Sequence, residues 1–405
     1  MENKNHIVIV SAVRTPFSRF DSAMAVIPSI DLGMMVMKEV IQRVGVKPSE
    51  VDDIYYGSCI PAEVALETDV PARQATLLAG FPEENISVSL DRACCSSLTA
   101  LRFGVMSIRA GEAKIAMAVG SENMPRTPHL APGLRSGTRL GHIKLIDCLF
   151  ELGYQAKGFN PVAKDAGEVA VEYGVTREMQ DEWALGSQEK YAKAFAGGKF
   201  KVGEELMPVV IPQKKGDPIV IDKDESPRKT SMEALAKLKT IYGSPTVTAG
   251  NAPPISAGAS AILFMTREEA EERGLKPLAT IVATVASATA PRGIATIPAH
   301  TIEKVLSRAE MTIDQMDMIE INEAFAAMPL VSTKLLAGGD EKKWKELRDK
   351  TNVNGGAIAI GHPVGASAAR ITMTMAYELR RRGGGYGVAS ICGGLAQGEA
   401  VVVKV

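Results

Sequence analysis

The chain is poor in cysteine and contains no CxxC pair. Only five of its 405 residues are cysteine, an odd number scattered along the chain: Cys59, Cys94, Cys95, Cys148 and Cys392. This usage argues against a disulfide framework and against a structural zinc site. The thiols are therefore expected to be reduced. Each is either a buried filler of the core, the commoner role of a free cysteine, or a reactive group.

Long apolar runs and an excess of charge of one sign are also missing. No apolar run reaches the roughly 18 residues of a membrane span, so no membrane association is expected. The formal net charge of −1 argues against nucleic acid or an anionic membrane surface as the main partner. The N-terminal stretch MENKNHIVIVSAVRTPF has the pattern of neither a signal peptide nor a transit peptide. These absences together favour a cytoplasmic protein.

Strand-like and helix-like segments alternate along the chain, which is typical of an α/β protein. Three segments near the N-terminus recur in the same order about 270 residues later. They begin at residues 6, 46 and 96, and their counterparts begin at residues 279, 311 and 367. A fourth pair, GASAILFM and GEAVVVKV, is only about 140 residues apart. The first copy must therefore carry an insertion before its last strand.

The repeat predicts two related α/β halves and one inserted domain. The first half would comprise residues 1–120 plus 253–275, the insertion residues 121–252, and the second half residues 276–405. The insertion contains one clear helix, which is expected to begin after an N-cap at Thr176 and to end at a glycine pair. A loop-rich insertion beside a rigid scaffold is where substrate recognition is expected.

Two adjacent cysteines, Cys94 and Cys95, precede a predicted helix in the segment DRACCSSLTAL. Free backbone N–H groups and the helix dipole at such a position are expected to lower the pKa of the Cys94 thiol and to stabilise an oxyanion. The small residues Ser96 and Ser97 would let a ligand approach closely. Acyl chemistry on a thiol also needs a base, which another part of the chain must supply.

The candidate base is one of only five histidines. His362 lies in the glycine-rich stretch NVNGGAIAIGHPVGASAAR, before the helix that repeats the one after Cys94. A histidine in such a turn is more often structural, but its mirrored placement favours a role beside Cys94. Cys392 and Asn322 each end a predicted strand, and sites in α/β folds form at the carboxyl ends of strands. The four side chains are therefore expected to meet.

Six segments resemble the sequence landmarks of the thiolase family, in the family's order and spacing. They are SAVRTPF, ACCSSLTAL, TVTAGNA, NEAFA, NVNGGAIAIGHPVGASAAR and CGGLAQGEA. The resemblance runs from residue 7 to the C-terminus, and the GHP segment is its most specific part. It implies an α/β fold of the thiolase type: a five-layer αβαβα sandwich of two duplicated five-stranded halves, with an inserted loop domain that binds coenzyme A (CoA). It also implies an acyltransferase that cleaves a 3-oxoacyl-CoA with CoA, or runs the reverse condensation.

The resemblance assigns a catalytic role to three matching side chains. Cys94 would be the nucleophile that carries the acyl group, and Cys95 would occupy the place of a glycine or alanine. His362 would activate Cys94. Cys392 would be the general acid and base at the α-carbon of the acetyl-CoA that leaves or attacks. This division suits the chemistry, because breaking a carbon–carbon bond beside a ketone leaves an enolate that needs a proton donor and an oxyanion hole.

The resemblance also implies oxyanion holes and ligand contacts. Asn322 would position a water for one oxyanion hole, and the backbone N–H groups of Cys94 and Gly394 would form the other. Arg228 and Ser256 would contact CoA. CoA is then a substrate, no metal is required and no cofactor is bound permanently. The expected partners are acyl-CoA, CoA and further copies of the chain in a homodimer or homotetramer, with room for an accessory subunit at the CoA site.

Three ligand-facing segments depart from the family pattern. Pro253 stands where a serine would touch the pantetheine arm of CoA, and Ala257 replaces an aspartate. Val162 falls near a methionine that covers the acyl pocket, and Leu395 replaces a glycine after Cys392. These changes indicate either a bulky, carboxylated or aryl 3-oxoacyl-CoA, for example in aromatic-compound degradation, or neutral drift in loops.

Two other functions stay open beside the thiolase interpretation. A related condensing enzyme that decarboxylates a malonyl donor would pair its cysteine with two histidines, or with His and Asn, whereas this chain has Cys392 at that strand end. A catalytically silent scaffold of the same fold would have lost at least one of Cys94, His362 and Cys392. The sequence retains all three, which favours a thiolase.

Overall fold

Strands and helices alternate along most of the chain, as the sequence pattern predicts. The computed structural model describes residues 6–151 and 157–405. The strands are β1 Ile7–Arg14, β2 Asp53–Gly57, β3 Ile86–Leu90, β4 Ile115–Asn123, β5 His129–Leu130, β6 Ile146–Asp147, β7 Val209–Ile211, β8 Ile219–Ile221, β9 Ala257–Thr266, β10 Ala279–Ala288, β11 Met318–Ile321, β12 Tyr386–Gly393 and β13 Gln397–Lys404.

The helices cover both faces of the main sheet and much of the insertion. They are α1 Ser29–Gln42, α2 Pro61–Val64, α3 Pro71–Leu78, α4 Ser96–Ala110, α5 Cys148–Glu151, α6 Val162–Glu172, α7 Arg177–Ala196, α8 Met232–Ala236, α9 Arg267–Glu272, α10 Ile297–Arg308, α11 Ala327–Leu336, α12 Glu341–Asp349, α13 Ala357–Ile360 and α14 Ser367–Arg381. The predicted N-cap of α7 is confirmed, because the hydroxyl of Thr176 accepts a hydrogen bond from the N–H of Met179.

Nine strands form one hydrogen-bonded sheet in the order β11-β12-β13-β10-β1-β9-β4-β2-β3. The five strands from β1 to β3 in this order belong to the first half, and the other four belong to the second half. The two halves join where β1 pairs antiparallel with β10, from Ile7 opposite Ile281 to Ile9 opposite Ala279. Two short hairpins, β5–β6 and β7–β8, lie in the insertion.

The second half has one strand fewer than the five that the resemblance implies. At the expected place, Thr351 forms only an isolated parallel bridge with Ile319 of β11. The next residue, Asn352, has a φ of 47°, which ends the extended conformation after a single residue. The duplication is therefore clear in the order of elements but incomplete in the number of strands.

Three apolar clusters show that the sheet lies between three layers of helices. The central cluster packs Leu98 of α4 and Met373 of α14 against residues from both halves of the sheet. One outer cluster covers the first half with α1 and α3, through Val36 and Ala75. The other covers the second half with α10 and α11, through Val305 among others. The layers therefore follow the order helix, sheet, helix, sheet, helix, and the predicted fold class is confirmed.

The duplication gathers strand ends and helix starts at one edge of the sandwich. Strands β2 and β4 run parallel, as do β11 and β12, so the carboxyl ends within each pair lie side by side. Cys392 is the last residue but one of β12, and Asn322 follows β11 directly. The turns that precede α4 and α14 carry Cys94 and His362 to the same edge.

Within the part of the chain that the structure describes, no helix is both long enough and apolar enough to cross a membrane.

Candidate active site

The turn before α4 presents Cys94 and buries Cys95. Ala93 has a φ of 50°, and this left-handed residue turns the chain sharply just before Cys94. The hydroxyl of Ser96 stabilises the turn, because it accepts from the N–H of Arg92 at 2.9 Å and donates to the carbonyl of Ala93 at 2.7 Å. Cys94 is partly exposed, whereas Cys95 is fully buried in the central apolar cluster. Only the first of the two thiols is thus open to a ligand.

His362 contacts Cys94 on one side of its ring and a serine on the other. Its Nε2 atom lies 3.2 Å from the Sγ atom of Cys94, and its Nδ1 atom lies 2.6 Å from the Oγ atom of Ser367. The hydroxyl of Ser367 donates its one hydrogen to the carbonyl of Pro363 at 2.8 Å. Ser367 must therefore accept a hydrogen bond from Nδ1–H, which leaves Nε2 unprotonated and able to accept the proton of the Cys94 thiol.

Asn322 completes the group from the second half of the sheet. Its Nδ2 atom lies 3.4 Å from Nε2 of His362. Its Oδ1 atom accepts a hydrogen bond from Nη2 of Arg370, also at 3.4 Å, and this contact fixes which end of the amide faces the histidine. Arg370 is fully buried, and Oε2 of Glu320 lies 3.7 Å from its Nη1 atom. A buried cation therefore stands directly behind the amide of Asn322.

Cys392 enters the same cavity from the end of β12. Its side chain is only 2% exposed, and it lines the cavity together with Cys94, His362 and Gly394. The chain then passes through two left-handed residues, with a φ of 54° at Leu395 and 57° at the residue after it. Leu395, which replaces the glycine of the family pattern, is not among the described residues that line this cavity.

Burial decides the charge of the site when no ligand is present. Burial raises the pKa of the Cys94 thiol well above its ordinary value, so the expectation that the helix start lowers this pKa is wrong. Burial likewise raises the pKa of Cys392 to about 12. Burial, followed by the positive charge of Arg370, lowers the pKa of His362 to about 3. Near neutral pH both thiols and the imidazole are therefore uncharged, and proton transfer must accompany the attack on a substrate.

A cavity of about 210 Å³ opens over Cys94, His362 and Cys392. Asn322 is not part of its described lining and joins the group through its contact with His362. The rest of the lining is apolar: Met124, Val162, Pro253, Ile294, Phe325 and Val364 among others. A second cavity of about 310 Å³ shares Met124, Val162, Ile255 and Phe325 with the first, and it continues to Phe150 and Tyr242 of the insertion. Apolar space therefore leads from the cysteines towards the inserted segment.

The two residues expected to contact CoA are placed differently. Arg228 is exposed in the insertion, where its Nη2 atom donates to the carbonyl of Ala249 at 2.9 Å. Ser256 is fully buried, and its hydroxyl donates to the carbonyl of Pro254 at 2.8 Å and accepts from the N–H of His362 at 3.3 Å. Arg228 is thus open to a ligand, whereas the hydroxyl of Ser256 is occupied in holding the histidine turn.

Ser367 and Arg370 contact the site, and neither was predicted from the sequence. Both belong to the segment NVNGGAIAIGHPVGASAAR, in which only His362 stood out as a chemical group. The signal that could have found Ser367 is a hydroxyl five residues after a candidate base, at the start of the next helix. Nothing in the sequence indicates that Arg370 is fully buried, because long-range packing of α14 decides this.

Comparison with known proteins agrees with the fold. The model of the thiolase N-terminal domain matches residues 7–268, and that of the thiolase C-terminal domain matches residues 275–405. These matches define an acyltransferase enzyme. The chain belongs to the thiolase family, as the resemblance predicted.

Similar proteins span nearly the whole chain. An acetyl-CoA acetyltransferase of Cupriavidus necator is 41% identical over 401 residues, which cover 98% of this chain and 99% of the relative. A beta-ketoadipyl-CoA thiolase of Acinetobacter baylyi is 38% identical, with 98% and 99% covered. The crystal structure of human mitochondrial 3-ketoacyl-CoA thiolase superposes with a TM-score of 0.90 at 33% identity and covers 99% of each chain. The acetyl-CoA acetyltransferase of Bacillus anthracis gives a TM-score of 0.91 at 34% identity, with 99% and 98% covered.

Proposed function

We propose that this protein is a CoA-dependent thiolase whose acyl-enzyme forms on Cys94. It cleaves a 3-oxoacyl-CoA into acetyl-CoA and a shortened acyl-CoA, or runs the reverse condensation. The observation that carries this proposal is the 3.2 Å contact between Sγ of Cys94 and Nε2 of His362, in a cavity that Cys392 also lines. The test is the absorbance of the magnesium enolate of a 3-oxoacyl-CoA, followed with and without CoA. Loss of the band only when CoA is present supports thiolysis, and no loss with any acyl chain supports a silent scaffold.

In the first half-reaction, Cys94 attacks the 3-oxo carbon of the substrate. The thiol proton passes to Nε2 of His362 as the carbon–sulfur bond forms, and the carbon–carbon bond then breaks with its electron pair left on the α-carbon. Cys392 protonates that carbon and releases acetyl-CoA. Burial suits Cys392 to this step, because a pKa raised to about 12 keeps the thiol protonated until the enolate forms.

In the second half-reaction, CoA removes the acyl group from Cys94. The Cys392 thiolate takes the proton of the CoA thiol, whose sulfur attacks the thioester carbon. The carbon–sulfur bond to Cys94 breaks, and the sulfur of Cys94 regains its proton from His362. Both steps pass through an oxyanion, for which we propose two sites: a water held by Asn322 with His362, and the backbone N–H groups of Cys94 and Gly394.

The cavity lining favours an uncharged acyl chain. Among the described residues that line the two cavities, His362 is the only side chain that could carry a positive charge, and its pKa of about 3 keeps it neutral. A carboxylate on the acyl chain would lose its hydration without a charged partner. Bulky apolar and aryl chains therefore fit better than carboxylated ones.

A matched pair of substrates tests this preference. 3-Oxohexanoyl-CoA and 3-oxoadipyl-CoA have the same chain length and differ by the terminal carboxylate. We expect kcat/KM to favour the uncharged chain by at least about 10-fold, because an unpaired buried charge is destabilised by more than about 1.4 kcal/mol. Equal values for the two substrates would contradict the preference while leaving thiolysis itself supported.

We further propose that Arg228 contacts the CoA nucleotide and that Ser256 acts indirectly. The guanidinium of Arg228 is exposed and can reach a phosphate, which supports the first role. The buried hydroxyl of Ser256 instead accepts a hydrogen bond from the backbone N–H of His362 and so holds the turn that carries the histidine. Arg228→Ala should raise KM for CoA with kcat nearly unchanged, whereas Ser256→Ala should lower kcat. CoA and acyl-CoA remain the expected small-molecule partners.

We also propose a homodimer formed through the free edge of the sheet. Strand β3 ends the sheet, and its side chains Ile86 and Val88 are 69% and 45% exposed. Met106 on the neighbouring helix α4 is 51% exposed. A second copy could pair with this edge and cover its apolar side chains. Sedimentation should show a dimer that Val88→Lys converts to monomer, and a monomeric wild-type protein would overturn the proposal.

We propose the division into domains that the internal repeat predicts. Residues 1–120 plus 253–275 would form the first half, 121–252 the CoA-binding insertion and 276–405 the second half. The pairing of β9 with both β1 and β4 supports the return of the chain to the first half after the insertion. Limited proteolysis should cut within 121–252 first, and early cuts within either half would argue against these boundaries.

A further inference from the structure

A fully buried carboxylate, Glu122, lies near the end of β4 beneath the candidate active site. Its two oxygens accept hydrogen bonds from the backbone N–H groups of Cys59 at 2.9 Å, Ile60 at 3.2 Å and Gly365 at 3.0 Å. The hydroxyl of Ser58 adds a fourth contact at 3.3 Å. The carboxylate is thus held by donors from two separate turns.

The first turn is hydrogen-bonded to the backbone that precedes Cys94. The N–H of Cys59 donates to Glu122, and the thiol of Cys59 donates in turn to the carbonyl of Ala93 at 2.8 Å. Ala93 is the left-handed residue whose backbone turns the chain immediately before Cys94. Through Cys59, one side of the carboxylate therefore fixes the backbone that aims the Cys94 thiol.

The second turn carries His362. Gly365 lies three residues after the histidine, and its N–H donates to the same Oε2 atom that accepts from Cys59. A Cβ atom on Gly365 would lie 3.0 Å from this oxygen, 3.0 Å from the carbonyl oxygen of Gly57 and 2.9 Å from that of Ser121. Only a glycine lets the histidine turn rest so closely on the carboxylate.

We propose that Glu122 is a positioning residue that sets the contact between Cys94 and His362 by joining the turns that carry them. The inference rests on the proposed thiolase function and adds a residue that does not touch the substrate. The two turns come from opposite halves of the chain, and one carboxylate oxygen accepts a hydrogen bond from each of them. A displacement of either turn would change the 3.2 Å distance between Sγ and Nε2. A misplacement of about 1 Å in such a pair can lower a rate by about 100-fold.

The energetics of the group agree with this role. Burial raises the pKa of Glu122 to about 7, and the N–H groups of Cys59 and Gly365 oppose that shift by stabilising the charged form. A buried carboxylate is costly unless donors surround it, and the two turns provide those donors. An apolar side chain at this position would avoid the cost but could not join the turns.

The test compares Glu122→Gln with a matched buried carboxyl, Glu63→Gln. Glu63 is also fully buried, and its carboxyl group accepts hydrogen bonds from the N–H of Ser29 and from Arg126 rather than from the two turns. Only its backbone N–H contacts the first turn, at the carbonyl of Ile60, and Glu63→Gln leaves that bond in place. Thiolysis of 3-oxohexanoyl-CoA gives kcat and KM, and thermal unfolding gives stability. We expect Glu122→Gln to lower kcat by about 30-fold with KM changed less than about 3-fold, and Glu63→Gln to leave kcat within about 2-fold at a similar loss of stability.

Equal kcat losses in the two variants, or a normal kcat in Glu122→Gln, would overturn the positioning role. An inactive wild-type protein would instead contradict the proposed function, so the two failures are distinguishable. Hydrogen exchange of the wild-type protein supplies a second measurement, which stands even where Glu122→Gln does not fold. The amides of Cys59 and Gly365, which both donate to Glu122, should exchange as slowly as those inside β4. Fast exchange at either amide would contradict the inference.

Discussion

The Sγ atom of Cys94 lies 3.2 Å from Nε2 of His362, although 268 residues separate them in the chain. Each residue sits in the turn before a helix of the central layer, and these two helices, α4 and α14, share one apolar cluster. The packing of the duplicated halves therefore brings the thiol and the imidazole together. A proton can pass directly from one to the other when a carbonyl group arrives.

Replacing Cys95 should show that only its neighbour, Cys94, is needed for catalysis. Cys95 is fully buried, and its thiol faces the carbonyl of Ile391 at 3.5 Å rather than the cavity. Cys95→Ala should keep kcat within about 3-fold and lower the free energy of unfolding by about 1 kcal/mol through the lost packing. Cys94→Ser is the corresponding change at the partly exposed thiol, and it should abolish turnover. A folded but inactive Cys95→Ala variant would contradict the assignment of Cys94 as the nucleophile.

Removing the hydroxyl of Ser367 should slow the chemical step. Without it, Nδ1 of His362 loses its acceptor, so the tautomer with a free Nε2 is no longer favoured. Ser367→Ala should lower kcat by about 10-fold with little change in KM, measured by steady-state thiolysis. Thr372→Ala removes a hydroxyl whose described hydrogen bond, to the carbonyl of Ala368, lies within the same helix, and it should be nearly silent. Similar kcat values in the two variants would contradict the claim that Ser367 fixes the tautomer of His362.

The acid limb of the pH–rate profile should lie far below the ordinary range of histidine. Burial and the charge of Arg370 lower the pKa of His362 to about 3, so the free enzyme keeps a neutral base down to mildly acidic pH. The kcat/KM value should therefore show no loss from protonation of His362 between about pH 6 and about pH 7. Profiles of the wild-type protein between about pH 4.5 and about pH 9 provide the measurement. A clear limb near 6.5, absent from a His362→Asn variant with residual activity, would contradict a neutral buried imidazole.

The buried pair behind Asn322 should make stability fall as the pH rises. Burial raises the pKa of Glu320 to about 8 against the opposing charge of Arg370, and neither carboxyl oxygen has a hydrogen-bond partner among the described residues. The folded protein thus keeps a proton that the unfolded chain releases above about pH 4.5, and stability is lost up to about pH 8. Glu320→Gln should reduce this slope by up to about 1.4 kcal/mol per pH unit in denaturant titrations. The exposed Glu346→Gln is the control, and an equal effect of both changes would refute the assignment.

Narrowing the cavity at Val162 should select against longer acyl chains. Val162 lines both cavities, so a larger side chain would reduce the space next to the cysteines. Val162→Met should lower kcat/KM for 3-oxohexanoyl-CoA by about 10-fold relative to acetoacetyl-CoA. Val171→Met on the same helix α6 is the control, because Val171 is 54% exposed. An unchanged ratio would mean that the acyl chain occupies another part of the cavity.

The sequence predicted the fold and the four chemical groups because local patterns and an internal repeat carry that information. Thr176 begins α7 through a local hydrogen bond, and the segment around His362 is distinctive enough to indicate the family. The missing strand near Thr351 was not predictable, since it depends on the positive φ of Asn352. Local sequence patterns therefore predicted the architecture but not the loss of this strand.

The supporting contacts of the site could not be predicted from the sequence. Ser367, Arg370 and Glu122 contact residues that other elements place beside them, and no spacing along the chain encodes those contacts. The prediction that Cys94 has a lowered pKa was wrong for a similar reason. A helix start lowers the pKa of a thiol only where burial does not raise that pKa by more. The place of Leu395 outside the described cavity lining was likewise not predictable from the substitution of a glycine.

The most direct test of the central claim is the identity of the residue that carries the acyl group. The protein would be mixed with acetoacetyl-CoA in the absence of free CoA, quenched in acid and digested, and its peptides weighed by mass spectrometry. We expect one acetyl group on the tryptic peptide from Ala93 to Arg102, located at Cys94 by fragmentation and absent from Cys94→Ser. An acetyl group on Cys392 or Cys95 instead, or turnover in Cys94→Ser at the wild-type rate, would contradict it.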